Sequence, residues 1–267
     1  MNKFGIQLYS VRDYFKSEEG VKEAFERLSC MGYSSAHTAG TYDFISPEKF
    51  REYANKNGIE ICGTHYDYNR IKNDIDGTIK YHAALGTKNV GIGGMPTPIR
   101  GDDEKIYKFI DEFNALAQIY SKYGYKLTYH NHAFEFRKTN DGKTVFDHLI
   151  DNLDPQTTSF VFDTYWAQYG GIDVRMMIER LSGRIDILHL KDMAVTIDTS
   201  NPSSGTPTTP SIAEIGAGNI NFKDIIPLAE KCGVKYFVVE DDRCIAGRSL
   251  EYANRSAEYI RNNLLKH

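Results

Sequence analysis

Short runs of apolar and β-branched residues alternate along the chain with longer segments in which apolar positions recur every three to four residues. The short runs have the pattern of strands buried in a sheet, and the longer segments have the pattern of amphipathic helices. Strands are predicted at residues 4–9, 33–37, 60–65, 89–93, 126–132, 159–163, 186–189 and 236–240. Helices are predicted at residues 18–31, 47–57, 76–85, 103–123, 145–153, 174–181, 222–232 and 249–264.

Eight strands that alternate with eight helices in 267 residues predict an α/β protein, namely a single (β/α)8 TIM barrel over residues 1–267. The alternative is a doubly wound open sheet, which usually carries a glycine-rich phosphate turn after its first strand. The segment Leu8-Tyr9-Ser10-Val11-Arg12 contains no glycine at that place. The pattern therefore favours the closed barrel, and we identify no domain boundary.

One segment, residues 192–219, interrupts this alternation. It is rich in Ser, Thr and Pro and is predicted to be a long loop without a clear element. Because it follows the strand at 186–189, it begins next to the carboxyl end of that strand. A lid, a subunit contact and a passive insertion are the open interpretations. Within it, Gly216-Ala217-Gly218-Asn219 is interpreted as a tight turn rather than a phosphate cradle.

Four of the later strands end in side chains that can bind a metal ion. Strand five ends in Tyr129-His130-Asn131-His132, and the next three strands end in Asp163, His189 and Glu240. Each residue alone has a structural explanation, such as a helix cap for Asp163 or a solvated acidic loop for Glu240. The carboxyl ends of parallel strands share one face, however, so the repeated pattern predicts convergence on a divalent cation.

Both His130 and His132 are candidates for the strand-five ligand, because side chains alternate along a strand and these two imidazoles face the same way. One or two imidazoles with two carboxylates suit manganese, zinc, iron or cobalt better than calcium, which prefers oxygen ligands. We expect manganese first, with zinc, iron, cobalt and magnesium as alternatives.

Other polar and aromatic residues near the strand ends are candidates for substrate contacts. Aromatic faces can stack on a sugar ring, and an arginine can contact an anionic group. The candidates are Tyr9, His65, Trp166 and Arg243. Lys191, two residues after His189, can stabilise a developing oxyanion. The competing explanations are aromatic core residues and surface charges.

Charge and composition argue against several classes of partner. The formal net charge of −4 gives the chain no overall basic character for binding nucleic acid or an anionic membrane. No stretch of about 18 apolar residues occurs, as a membrane span would need. The four cysteines are dispersed, which predicts reduced thiols and a cytoplasmic location.

At these motifs the chain resembles the xylose isomerase-like TIM-barrel superfamily of sugar phosphate isomerases and epimerases. The resemblance covers nearly the whole chain and rests on Gly5-Ile6-Gln7-Leu8-Tyr9-Ser10, on His130-Asn131-His132-Ala133-Phe134-Glu135, and on the segments around Asp163, His189 and Glu240. It implies one metal ligand from each of strands five to eight. On strand five, where the epimerases it resembles carry a glutamate, the corresponding position is His130. Inosose dehydratases also have a His-rich strand five, which favours a lyase.

The resemblance implies that a divalent metal binds the carbonyl and a neighbouring hydroxyl of a polyhydroxy ketone and stabilises an enediolate. Glu240 is the first candidate for the base, and His130, His132 or Glu135 for the second proton transfer. We therefore expect a metal-dependent sugar isomerase or epimerase. The alternatives are a lyase or dehydratase on the same barrel and, in another class, a non-catalytic sugar-binding barrel. The expected partner is a small sugar, and the resemblance also implies a homo-oligomer.

Overall fold

The computed structural model describes residues 1, 3–197, 207–243, 245 and 247–265. Its strands are Gly5–Gln7 (β1), Ser35–Ala39 (β2), Glu60–His65 (β3), Asn89–Ile92 (β4), Lys126–His130 (β5), Thr158–Asp163 (β6), Ile185–Leu190 (β7), Asp192–Ile197 (β8), Thr208–Ala213 (β9) and Tyr236–Val239 (β10). All except β8 and β9 form a closed parallel barrel in the order β1-β10-β7-β6-β5-β4-β3-β2. The predicted (β/α)8 barrel is confirmed.

Helices fill the connections between the barrel strands. They are Glu18–Met31 (α1), Pro47–Lys56 (α2), Tyr68–Asn73 (α3), Ile75–Leu85 (α4), Asp103–Ser121 (α5), Val145–Asn152 (α6), Thr164–Tyr169 (α7), Val174–Arg180 (α8), Phe222–Lys231 (α9) and Ser249–Asn263 (α10). Several begin at a side chain that accepts from a free backbone amide, as Ser17 does from Gly20 ahead of α1. Gly32 follows the last residue of α1 and caps the helix with a φ of +97°, which favours glycine.

Two strand ends differ from the prediction at places that matter for function. The first strand ends at Gln7, whose side chain accepts a hydrogen bond from the Tyr9 amide at the start of a 3-10 helix over Leu8–Val11. Strand β5 ends at His130, so His132 lies beyond it. The alternation that placed His130 and His132 on the same side of one strand therefore does not extend to His132.

The prediction of a loop without elements over residues 192–219 was wrong for much of its described length. Strands β8 and β9 pair as an antiparallel hairpin, with Ile197 opposite Thr208. Its β-branched residues favour an extended backbone, and Pro210 is tolerated because each strand of an isolated pair has one free edge. Residues 198–206, within the Ser/Thr/Pro-rich part, lie outside the described residues.

Apolar side chains fill the barrel below the carboxyl ends of its strands. Cys62, Val161, Ile187 and Val238 form a buried cluster with one member from each of β3, β6, β7 and β10. Three of them precede a polar strand-end residue by two positions, so the same inward face carries the core and then the site. Across the described ranges, no helix has both the length and the apolar content to cross a bilayer.

Candidate active site

Four polar side chains, which we call the ligand quartet, converge at the carboxyl ends of neighbouring strands. They are His130 from β5, Asp163 from β6, His189 from β7 and Glu240, which follows β10. One ligand atom of each lies within 4.8 Å of the others. The Nε2 atom of His130 is 3.5 Å from Asp163 Oδ2 and 3.8 Å from Glu240 Oε2. The Nδ1 atom of His189 is 2.9 Å from Glu240 Oε2.

The quartet fits a divalent cation because several of its buried polar atoms lack a hydrogen-bond partner. Among the described residues, Asp163 Oδ2 and both ring nitrogens of His130 are buried without a hydrogen-bond partner. Unpaired polar atoms in a protein interior are costly, and a cation held by two imidazoles and two carboxylates would remove that cost. This ligand set suits Mn²⁺, Zn²⁺, Fe²⁺ or Co²⁺.

Hydrogen bonds between neighbouring strands hold the quartet in place. Asp163 uses Oδ1 to accept from the Trp166 amide and cap α7, which leaves Oδ2 toward the quartet. Its own backbone amide donates to Asn131 Oδ1 at 2.9 Å. The Thr164 hydroxyl donates to the carbonyl of His189 at 3.1 Å. The ends of β5, β6 and β7 are thereby tied together by side chains next to the ligands.

A buried lysine lies beside the quartet, although its competing interpretation from sequence was a surface ion pair. The Lys191 side chain is 1% exposed, and its Nζ is 2.6 Å from Asp242 Oδ2 and 3.4 Å from Glu240 Oε2. Burial opposes the charge, but Glu240, Asp163 and Asp242 raise the pKa of Lys191 above its ordinary value. Burial also opposes ionisation of Glu240, yet Lys191 and His189 hold the pKa of Glu240 well below its usual range. Lys191 is therefore an ammonium and Glu240 a carboxylate.

The quartet opens into a pocket of about 280 Å³. Its lining residues are Tyr9, Ala39, His65, Gly93, His130, His132, Trp166, Lys191, Glu240 and Asp242. Sites for drug-sized ligands occupy ~300–1,000 Å³, so this pocket suits a smaller molecule such as a monosaccharide. Trp166 and His132 form an aromatic wall, with ring centroids 5.4 Å apart. Three of the predicted substrate contacts, Tyr9, His65 and Trp166, thus lie in the pocket lining.

The imidazoles around the pocket are neutral because they are buried. Burial lowers the pKa of His65 to about 3 and the pKa of His132 to about 4. It also lowers the pKa values of His37 and His130 well below their usual range. A neutral imidazole has one lone pair and one N–H group, so each ring can serve as a ligand, a base or a donor.

Glu135, a predicted proton-transfer residue, lies outside the described lining of the pocket. Its carboxylate accepts hydrogen bonds from the Tyr129 hydroxyl at 2.7 Å and from the His132 amide at 2.8 Å. Burial raises the pKa of Glu135 to about 7. Glu135 therefore positions the backbone of His132, which follows the end of β5 and carries one wall of the pocket.

Arg243, a predicted substrate contact, pairs with carboxylates of its own chain. The Arg243 guanidinium lies 2.9 Å from Glu214 Oε2, and its Nε donates to Asp241 Oδ1 at 2.9 Å. It is outside the described lining of the pocket. Two carboxylates already neutralise its charge, so Arg243 joins the chain after β10 to the segment after β9. Sequence spacing did not indicate the contact with Glu214, which comes from a distant part of the chain.

Two residues of the site are not singled out by the sequence analysis. Asp242 pairs with Lys191 and lines the pocket. Gln7 is fully buried next to the pocket, with Nε2 3.0 Å from His37 Nδ1. A polar residue within an otherwise apolar first strand was the available signal for Gln7. For Asp242, the acidic run Glu240-Asp241-Asp242 was visible, but its contact with Lys191 in the pocket lining was not.

A closed parallel barrel with a metal-capable quartet at the carboxyl ends of its strands defines a TIM-barrel protein whose candidate site lies on the usual active-site face. The family model for the xylose isomerase-like TIM barrel matches residues 24–263, and the chain belongs to this family. The resemblance found in the sequence motifs is confirmed, and with it the membership of an enzyme superfamily.

Several curated relatives are inosose dehydratases. The one from Geobacillus thermodenitrificans is 29% identical over 189 residues, which are 63% of this chain and 60% of the relative. The one from Geobacillus kaustophilus is 33% identical over 203 residues, which are 68% of this chain and 63% of the relative. The match thus spans less than two thirds of both relatives. For the Salmonella typhimurium protein, the identity is 25% over 285 residues, covering 93% of this chain and 90% of the relative.

Solved structures share the architecture. A sugar phosphate isomerase/epimerase from Parabacteroides distasonis superposes with a TM-score of 0.78 at 22% identity, covering 98% of each chain. A D-psicose 3-epimerase superposes with a TM-score of 0.63 at 13% identity, covering 98% of this chain and 99% of the other. At these identities the likeness shows the fold alone.

Proposed function

We propose that the protein is a divalent-metal-dependent lyase that eliminates water from a small polyhydroxy ketone. The observation that carries this proposal is the ligand quartet with its unpartnered atoms, opening into a small pocket beside the Lys191 ammonium. The curated relatives support the same class of reaction, since their name describes loss of water from an inosose, a cyclic polyhydroxy ketone.

The quartet would hold the metal, which supplies Lewis acidity to polarise the substrate carbonyl. Glu240, held ionised by Lys191, takes the proton from the carbon alpha to the carbonyl. The electrons of that C–H bond form a double bond between the alpha and beta carbons as the β-carbon to oxygen bond breaks, and the hydroxyl leaves as water with a proton from the Lys191 ammonium. Lys191 Nζ and Glu240 Oε2 are 3.4 Å apart, so the proton on Glu240 can return to Lys191 and restore both groups.

The distribution of acids and bases favours elimination over epimerisation. Among the described residues of the pocket lining, the carboxylates are Glu240 and Asp242, which both follow β10 and both pair with Lys191. Base and acid therefore reach the substrate from one side. Epimerisation needs a proton donor on the opposite face of the same carbon, and there the neutral imidazoles His65 and His132 are poor donors.

The second candidate function is sugar isomerisation or epimerisation, which the sequence analysis placed first. It is favoured by His132, which lines the pocket away from the end of β10 and whose neutral imidazole can accept a proton. Both reactions begin with removal of the same alpha proton. They differ in whether the molecule then loses its β-hydroxyl.

The test is to incubate the Mn²⁺-loaded protein with an inosose and a set of ketohexoses in D₂O and to follow the products by mass spectrometry and NMR. The lyase proposal predicts products lighter by one water. Deuterium uptake at the alpha carbon without loss of water would instead establish the second candidate. Metal binding without either reaction on any of these ketones would contradict both.

Two variants complete the test. Asp163→Asn keeps a good helix cap but loses the ligand charge, and it is expected to lose Mn²⁺ and activity together. Lys191→Met is expected to keep the quartet but to lose turnover, because the proton donor for the leaving group is gone. Asp111→Ala, on an exposed position of α5, is the control expected to retain full activity.

A further inference from the structure

Three imidazoles and one amide form a chain of contacts behind the quartet. Gln7 Nε2 lies 3.0 Å from His37 Nδ1 and 3.4 Å from His65 Nδ1. The same Nδ1 atom of His37 lies 3.0 Å from His189 Nε2. Gln7, His37 and His189 are fully buried. The far ring nitrogen of His189, Nδ1, belongs to the quartet.

The orientation of the Gln7 amide is set by the backbone. The Tyr9 amide donates to Gln7 Oε1 at 3.3 Å, so Oε1 faces the backbone and Nε2 faces the imidazoles. An amide nitrogen has two hydrogens and no lone pair to offer, so it can only donate. His37 Nδ1 and His65 Nδ1 must therefore both be acceptors, and each ring carries its proton on Nε2.

The sequence of donors and acceptors along these contacts determines which nitrogen of His189 faces His37 with a proton. Because His37 Nδ1 is an acceptor, the contact with His189 Nε2 requires a proton on His189 Nε2. Nδ1 is then the ring nitrogen of His189 that faces the quartet. That atom lies 2.9 Å from Glu240 Oε2 and 3.9 Å from Asp163 Oδ2. The shorter contact is a hydrogen bond in which His189 Nδ1–H donates to Glu240, and a cation bound between the two groups would displace that proton.

We infer that Gln7 is a positioning residue that selects, through His37, the ring tautomer in which His189 presents Nδ1 to a metal. The second hydrogen of the same amide selects the tautomer of His65, whose Nε2–H is left for the pocket. His65 Nε2 is buried without a hydrogen-bond partner among the described residues and can donate to a substrate oxygen. The inference rests on the proposed function, because it concerns the metal site of that proposal.

The same imidazoles suggest a competing interpretation, in which His37, His65 and His189 hold a second metal ion of their own. His189 would then have to bind one metal through each ring nitrogen, which requires removal of both ring protons. Gln7 Nε2 also points a hydrogen at His37 Nδ1, the atom that would have to bind the second ion. The contact chain thus predicts one metal ion per chain.

The test is Gln7→Glu, which keeps the shape of the side chain but replaces both donors by acceptors. At pH 8, His37 must then donate from Nδ1 and can no longer accept from His189. We expect the dissociation constant for Mn²⁺, measured by competition with a chelating dye, to rise by about 10–100-fold. The added charge alone would lower the dissociation constant instead, because a further carboxylate near the site would tighten cation binding.

Two further variants separate tautomer selection from packing. Gln7→Met has a similar length and neither donates nor accepts, so it is expected to weaken Mn²⁺ binding less than Gln7→Glu does. The control is Thr38→Val, next to His37 in β2. The buried Thr38 hydroxyl lacks a partner among the described residues, so this variant is expected to bind Mn²⁺ like the wild type. Mn²⁺ binding by both Gln7 variants within twofold of the wild type would overturn the inference.

A readout without bound metal keeps this inference distinct from the proposed function. In ¹⁵N-histidine NMR spectra of wild-type protein, His37, His65 and His189 are expected to carry a proton on Nε2, and His189 to keep it when Zn²⁺ is added. An unprotonated Nε2 on His189 would contradict the inference even if the metal binds. Failure of the wild type to bind any metal would contradict the proposed function, while the tautomers would still be measured.

Discussion

At the scale of single residues, Lys191 shows that burial determines how strongly a lysine interacts with neighbouring carboxylates. On a surface, a lysine beside three carboxylates would form weak, screened ion pairs. Buried, it pairs with Glu240 and Asp242 and stays an ammonium in the lining of the pocket. Its contact with Glu240 also gives the two groups of the proposed reaction a direct path for proton return. In the proposed reaction, one side chain therefore both stabilises the site and supplies the acid.

Glu135 leads to a prediction about pH dependence. Burial raises its pKa from an ordinary value of 4.5 to about 7, so between these values the native state keeps a proton that the unfolded state has lost. The contribution of Glu135 to the free energy of unfolding therefore falls as pH rises through this window and is constant above it. The loss approaches roughly 3 kcal/mol, since each pH unit between the two pKa values corresponds to about 1.4 kcal/mol.

Glu135→Gln resembles the protonated side chain and does not titrate. We expect it to match the wild type near pH 5 and to be the more stable protein at pH 8, as measured by urea unfolding at both pH values. Glu104→Gln, at an exposed position of α5, is the control expected to follow the wild type at both. The same pH dependence in Glu135→Gln and wild type would show that Glu135 is already ionised throughout.

At the scale of elements, Asp192 holds the hairpin and the turn that follows it. Its carboxylate accepts hydrogen bonds from the backbone amides of Gly216, Gly218 and Ile220, at 2.8, 3.0 and 3.1 Å. A Cβ added at Gly218 would lie 2.3 Å from Asp192 Oδ1, which explains the glycine there. These amides are already occupied by a carboxylate of the chain, so the segment is a turn and does not cradle a phosphate.

We therefore expect Asp192→Asn to destabilise this turn, because the amide presents hydrogens to backbone N–H groups. The expected loss in free energy of unfolding is about 1–3 kcal/mol. Hydrogen exchange should accelerate at the amides of Gly216, Gly218 and Ile220 before it does in the barrel strands. Asp224→Asn, in an exposed pair with Arg175, is the matched control. Unchanged exchange at the three amides would show that Asp192 does not hold the turn.

At the scale of the whole molecule, the quartet joins four of the eight barrel strands at one point. His130, Asp163, His189 and Glu240 come from or follow β5, β6, β7 and β10, which are neighbours in the barrel. A cation held by them would cross-link segments that lie far apart in the chain. Because the unfolded chain cannot assemble this site, metal binding should stabilise the entire fold.

The expected size of this effect follows from mass action. At a Mn²⁺ concentration 100 times the dissociation constant, the free energy of unfolding should rise by about 2.7 kcal/mol. Thermal unfolding with and without Mn²⁺ measures this, and Asp163→Asn is expected to show little or no shift. An equal shift in Asp163→Asn would place the bound ion elsewhere on the protein.

The sequence alone predicted the barrel and three members of the quartet, Asp163, His189 and Glu240, with His130 or His132 as the fourth. Both depend on local periodicity: short apolar runs that alternate with amphipathic helices, and a polar residue at the end of each later strand. In a parallel barrel those ends share one face, so convergence follows from the pattern. The choice between His130 and His132 could not be made from alternation, because it depends on where β5 ends.

Only the tertiary structure decided which charges are buried and what they contact. The burial of Lys191, the pairing of Arg243 with Glu214, and the hairpin of β8 and β9 all depend on residues far apart in sequence. The contact chain from Gln7 through His37 to His189 spans three strands, and each of its two contacts is 3.0 Å long. Such contacts produce no repeating pattern in the sequence, because each is one contact between two side chains that come together only when the barrel closes.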